Sequence, residues 1–119
     1  MRPDGLHHVS INVSDVDAAR DFYTRVLGLT ERADRPDFAF GGAWLDAGGQ
    51  QLHLIEADVP PPLGQHFALA VPDLDAVVAE LRGKGLEVTD PVPVGQGRQA
   101  FVTDPCGNRV ELQQPPAAR

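Results

Sequence analysis

Three of the four histidines in this 119-residue chain stand inside short apolar runs, in HHVSINV, QLHLI and QHFALAV, and a glutamate does the same in RVELQ. His8, His53, His66 and Glu111 together offer three imidazole nitrogens and a carboxylate, a donor set suited to a divalent transition ion such as zinc, nickel, cobalt, manganese or iron. Magnesium and calcium favour shells made of oxygen and fit these residues less well. The lone cysteine, Cys106, excludes an internal disulfide and a thiolate zinc cluster, so nitrogen and oxygen must hold any metal.

Successive residues of a strand face opposite sides of a sheet, and this alternation sorts the candidates. His8, Ser10 and Asn12 share one face, against Val9, Ile11 and Val13 on the other. His66, Ala68 and Ala70 oppose Phe67, Leu69 and Val71 in the same way, while His53 and Glu111 are each flanked by apolar neighbours. All four therefore point away from the face that packs on a helix, and the small Ala68 and Ala70 leave room there for a ligand. His7 falls on the helix side and reads as structural. Trp44, Phe38, Phe40 and Phe101 read as core or pocket wall, and Cys106 as an incidental thiol in a turn.

These four positions are linked by an internal repeat. A step of 58 residues lays HHVSINVSDVDA over QHFALAVPDLDA and DAGGQQLHL over DPCGNRVEL. It carries His8 onto His66, His53 onto Glu111 and Asp46 onto Asp104. The chain is thus expected to be one domain, 1–119, made of two modules at about 5–57 and 65–114, joined by the proline-rich segment 58–64.

Each module reads as a strand, a helix and three further strands. In the first, a strand at 6–13 leads to a helix capped by Ser14 or Asp15, with Val16, Ala19, Tyr23, Val26 and Leu27 at helical spacing and Gly28 as its stop. Strands follow at 29–33, 39–45 and 51–55. In the second, a strand at 67–71 leads to a helix capped by Asp73 that carries Leu74, Val77, Val78 and Leu81 and ends at Gly83 and Gly85. Strands follow at 86–89, 99–103 and 109–113.

A formal charge of −7 and 42% apolar residues describe a foldable acidic chain without the clustered positive surface that phosphate backbones require. Nucleic acid is excluded as a partner. No segment is apolar for long enough to span a bilayer, and the N-terminus lacks the apolar run of a secretory signal, so the expected address is the cytoplasm.

HHVSINVSDVDAARDFYTRVLGL, HFALAVPDLDAVVAELRGKGLEV and AFVTDPCGNRVELQQ together resemble the vicinal oxygen chelate superfamily, which includes glyoxalase I, bleomycin-resistance proteins and extradiol dioxygenases. The resemblance implies an α+β fold of two tandem βαβββ modules, forming a curved U-shaped mixed sheet with the helices packed outside, in a homodimer. It places the metal ligands at His8, His53, His66 and Glu111. The resemblance to glyoxalase I implies a lyase or isomerase acting on a small α-oxygenated carbonyl substrate through an enediolate, with Glu111 as ligand and general base. Two departures stand out: His53 occupies a position that is commonly acidic or amide in glyoxalase I, and Asn12 stands where an arginine for the glutathione carboxylate is expected. The alternatives are a metal-free protein that binds a drug or metabolite, and a ferrous extradiol-type dioxygenase.

Overall fold

The structure, a computed structural model, describes residues 1–117. The chain divides into two compact units, one of Met1–Pro61 with Pro105–Asn108, the other of Pro62–Asp104 with the residues from Arg109 onward. Both are α+β, and each holds a four-stranded mixed sheet.

In the first unit β1 (His8–Val13) leads to helix α1 (Val16–Asp21), and β2 (Thr30–Glu31), β3 (Gly42–Ala47) and β4 (Gln50–Glu56) follow. The strand order is β1-β4-β3-β2, with β1 parallel to β4 and the other pairs antiparallel. Asp15 starts the helix: its carboxylate accepts the Ala18 amide at 3.0 Å, an N-cap worth about 1 kcal/mol. The expected continuous helix instead widens over Phe22–Val26 into a π-helical turn, where the Leu27 amide reaches back to the Phe22 carbonyl and the Thr24 hydroxyl donates to the Arg20 carbonyl. Gly28, at φ +81°, ends it in the left-handed region that glycine enters without strain. Ala19, Phe22 and Tyr23 are buried, as are Val13, Ala43, Leu45, Leu52 and Leu54 of the sheet.

The second unit repeats the plan with β5 (Phe67–Ala70), α2 (Leu74–Gly83), β6 (Val92–Val94), β7 (Gly97–Thr103) and β8 (Arg109–Gln114), in the order β5-β8-β7-β6. Asp73 caps α2 by accepting the Ala76 amide at 3.1 Å. Leu74, Val78 and Leu81 form its buried stripe, and Val88, Ala100, Val102, Val110 and Leu112 complete that core.

Four further expectations change. Residues 86–89 form no strand; Thr89 makes one backbone bond to Phe101, and the place at the sheet edge goes to Val92–Val94. The Gly95–Gln96 turn returns this segment tightly onto β7, and Pro93, which cannot donate to a ladder, is tolerated because β6 is an edge. The strand expected at 39–45 begins only at Gly42, leaving Phe38 and Phe40 outside it and exposed. Likewise β1 starts at His8, and His7 lies exposed just ahead of it with its Nδ1 2.9 Å from that of His8. Finally, β3 runs past its expected end at 45 to Ala47, so Asp46 pairs with Gln51 in the ladder, whereas Asp104 lies in the loop after β7 as the strands expected at 99–103 and 109–113 require, with Thr103 on the rung against Arg109; the two hairpins are one residue out of step. A two-residue turn at Gly48–Gly49 and a five-residue loop at 104–108 account for this slip of one residue.

Candidate functional site

The parallel pairing of β1 with β4 sets Ser10 opposite His53, and the β3–β4 hairpin sets Trp44 opposite the same residue from the other side. Three rings consequently lie in one layer across neighbouring strands. His8 stacks on His53 with centroids 4.0 Å apart and planes 14° from parallel, and His53 stacks on Trp44 at 4.3 Å and 9°. His53 is only 7% exposed. Its Nε2 lies 2.8 Å from Gln51 Oε1, an acceptor, so that nitrogen carries the hydrogen and Nδ1 keeps the lone pair. Burial, reinforced by the neighbouring His8 and His7 rings and the Arg32 and Arg35 guanidiniums, holds the His53 pKa below the ordinary imidazole value and the ring neutral.

In the second unit His66 stands one residue ahead of β5, and Glu111, 9% exposed, lies in the central strand β8. His66 Nε2 is 3.0 Å from Glu111 Oε1, and His66 Nδ1 is 2.8 Å from the Gly64 carbonyl. That carbonyl can only accept, so Nδ1 must donate, and the lone pair of a neutral ring then faces a carboxylate oxygen, also an acceptor. The two acceptors are reconciled only by a shared cation, either a proton or a metal ion. Their 3.0 Å separation also matches the span between two ligands set at a right angle on one ion, as in octahedral coordination, with bonds about 2.1 Å long. The Gly64 contact fixes ring orientation and tautomer as partners behind metal-binding histidines do. The donor set at this pair therefore fits a divalent transition ion.

Each unit thus brings one pair of the expected ligands together, His8 with His53 and His66 with Glu111. Among the described residues no three His, Cys, Asp or Glu side chains form a group able to hold a metal. Cys106 is half-buried, its thiol 3.7 Å from the Asp15 carbonyl, and Asn12 donates to the Asp58 carbonyl at 2.9 Å. Ala68 and Ala70 are exposed on the His66 face, as alternation requires, and Phe101 meets His66 edge-on at 5.3 Å. Sequence reasoning did not find Gln51 as the partner of His53, nor the Trp44 stack. The signal for the latter was present, since Trp44 and His53 are equidistant from the Gly48–Gly49 turn.

The chain belongs to the Glyoxalase/Bleomycin resistance protein/Dioxygenase superfamily, whose model matches residues 5–112. A curated relative, lactoylglutathione lyase GLX1 of Arabidopsis thaliana, is 34% identical over 90% of this chain and 43% of its own length. The chain thus spans less than half the length of that relative. Among solved structures, a glyoxalase family protein from Bacillus anthracis superposes with a TM-score of 0.84 at 30% identity, covering 97% of this chain and 99% of that one. TnmS3, an antibiotic binding protein from Streptomyces sp. CB03234, superposes with a TM-score of 0.78 at 32% identity, covering 97% and 98%. The family and the fold follow from these similarities. Among the described residues no helix is long and apolar enough to cross a membrane.

Proposed function

We propose that this chain is a divalent-metal-dependent, glyoxalase-like lyase or isomerase that acts on a small α-oxygenated carbonyl compound. The observation that carries the reading is the His66–Glu111 pair, whose facing acceptors at 3.0 Å call for a shared cation. In this reading His8, His53, His66 and Glu111 are metal ligands, and the metal is nickel, cobalt, zinc, manganese or iron. Once bound, the ion supplies Lewis acidity toward the oxygens of the substrate.

Glu111 Oε accepts the proton from the hydroxyl-bearing carbon beside the carbonyl, the C–H electron pair moves into the enediolate, and Glu111 returns the proton to the former carbonyl carbon while the hydroxyl proton passes to the neighbouring oxygen, leaving a carbonyl where the hydroxyl was. His66, held through Nδ1 by Gly64, keeps its Nε2 aimed at the same place. Neutral His53 offers a lone pair without carrying a charge that would compete with a cation.

The working form in this reading is a homodimer acting on small molecules, since strands at the ends of both four-stranded sheets leave edges that soluble proteins cover or pair. Sedimentation at micromolar concentration is expected to show the dimer. A second reading, ligand binding without catalysis, is favoured by the His8–His53–Trp44 stack and by similarity to an antibiotic binding protein.

One experiment separates the two. Protein stripped with EDTA is reloaded with each ion in turn and followed by NMR for exchange of the α-carbon hydrogen of hemithioacetals and α-hydroxy ketones in deuterium oxide. Metal-dependent exchange supports the enzyme reading. Absence of both stoichiometric metal and exchange removes it in favour of binding alone.

A further inference from the structure

Beyond Trp44 the aromatic layer continues out of the sheet. Phe38 lies 6.2 Å from Trp44, Phe38 and Phe40 stack on each other at 5.1 Å with planes 7° apart, and both rings are about half exposed, at 41% and 46%. Two phenylalanines displayed side by side on an irregular segment form the kind of apolar surface that marks a contact with another molecule. The Arg35 guanidinium lies over both, 5.0 Å from the Phe38 centroid and 5.5 Å from that of Phe40.

The charge on Arg35 has no counterpart. Arg20, Arg25, Arg32, Arg82 and Arg98 each have a carboxylate oxygen within 3.0 Å. Among the described residues Arg35 has none within salt-bridge distance, and its one hydrogen bond goes from Nη2 to the Phe40 carbonyl at 2.9 Å. Arg2 and Arg109 also lack a carboxylate but are exposed to solvent, whereas Arg35 is half-buried. The guanidinium is seated over Gly42, where a Cβ would come 3.0 Å from Nη2. It is thus a fixed, partly desolvated cation with donors left over, beside a ledge of flat rings that runs on to His53 and His8.

We propose that Arg35, with Phe38, Phe40 and Trp44, forms a receptor for a small ligand that joins a flat aromatic body to a carboxylate. The rings supply stacking area, and the guanidinium supplies charge-assisted hydrogen bonds matched to a planar anion. The assignment rests on the reading above, because the ledge is continuous with two of the proposed metal ligands. It narrows the α-oxygenated carbonyl class to aromatic acids.

Trp44 is the only tryptophan in the chain and serves as the reporter. Its fluorescence is titrated in metal-free protein with phenylglyoxylate, with the neutral methyl ester of that acid, and with pyruvate, which keeps the carboxylate but has no ring. The expected result is saturable quenching by phenylglyoxylate, with the ester and pyruvate each weaker by about tenfold or more. Arg35→Gln is expected to erase the advantage of the acid over the ester. Arg35→Lys is expected to retain part of it. The acid-to-ester ratio in the unaltered chain tests the proposal even if the variants fold poorly. Equal binding of acid and ester, or an Arg35→Gln protein that holds the acid as tightly as the parent, overturns it. So does the absence of quenching by any probe combined with loss of a dimer in the Phe38→Ser, Phe40→Ser double variant, which would make the ledge a contact between two copies. Because no metal is present in the titration, failure of the metal-enzyme reading registers separately, in the exchange experiment.

Discussion

Replacing Glu111 by glutamine tests the proposed shared cation with little change of shape. In the unaltered protein, His66 donates from Nδ1 to Gly64 and presents Nε2 to a carboxylate oxygen at 3.0 Å, an arrangement that needs a proton or a metal ion. A glutamine amide supplies an N–H donor at the same place, so the neutral ring becomes fully satisfied without any cation. Glu111→Gln without metal is therefore expected to fold as well as the parent, within about 1 kcal/mol. Metal binding is expected to suffer much more. At a free-ion concentration about 100 times the Kd, binding stabilises the parent by about 2.7 kcal/mol, or roughly 10 °C in Tm for a chain of this size. Losing the anionic ligand weakens affinity by on the order of 100-fold, which leaves only about 0.4 kcal/mol at the same concentration. Thermal melts of both proteins with EDTA and with excess nickel or cobalt measure the difference. A variant that keeps the full metal-induced rise in Tm would show that Glu111 is not a ligand, and the mechanism built on it would fall.

Two further outcomes follow from the packing around the site. At Gly42 an added Cβ would meet the Leu54 carbonyl oxygen of the neighbouring strand at 2.2 Å, far inside contact distance and against backbone. Gly42→Ala is expected to cost at least about 2 kcal/mol and to lower the urea midpoint, while a change under about 0.5 kcal/mol would mean that β3 shifts without penalty. His53, with a folded pKa held below its ordinary value of 6.5, binds its proton more readily when the chain unfolds. Its contribution to stability is thus complete above about pH 6.5 and is lost as pH falls below it. Urea titrations of metal-free protein at pH 7.5 and 5.5 should show a steeper decline for the parent than for His53→Gln, and equal declines would contradict the buried neutral ring.

The parts of this fold that were legible in the sequence are those governed by period and repetition. Alternation in HHVSINV and QHFALAV placed the apolar residues toward the helices, and Asp15 and Asp73 announced both helix starts. The pairing of His66 with Glu111 across β5 and β8 follows the same logic. Other features depended on what no local pattern encodes. The slip between Asp46 and Asp104 comes from unequal loops, which a fixed step of 58 residues hides. The widening of the first helix at Phe22–Val26 leaves the helical spacing of its apolar residues unbroken, and the edge strand at Val92–Val94 was masked by its own proline. Arg35, Phe38 and Phe40 lie in a segment with neither helical nor strand period, so only the folded chain reveals that their side chains assemble.

The order β1-β4-β3-β2 carries a consequence for how the protein is made. The opening strand of this module has its hydrogen-bonding partner in the last strand of the same module, and must wait unpaired for about forty residues of synthesis. When β4 emerges it slots between β1 and β3 and closes both ladders together. The stacked imidazoles at 8 and 53 thus depend on a pairing between distant parts of the module, and a nascent chain released before His53 would carry neither a completed sheet nor a histidine pair.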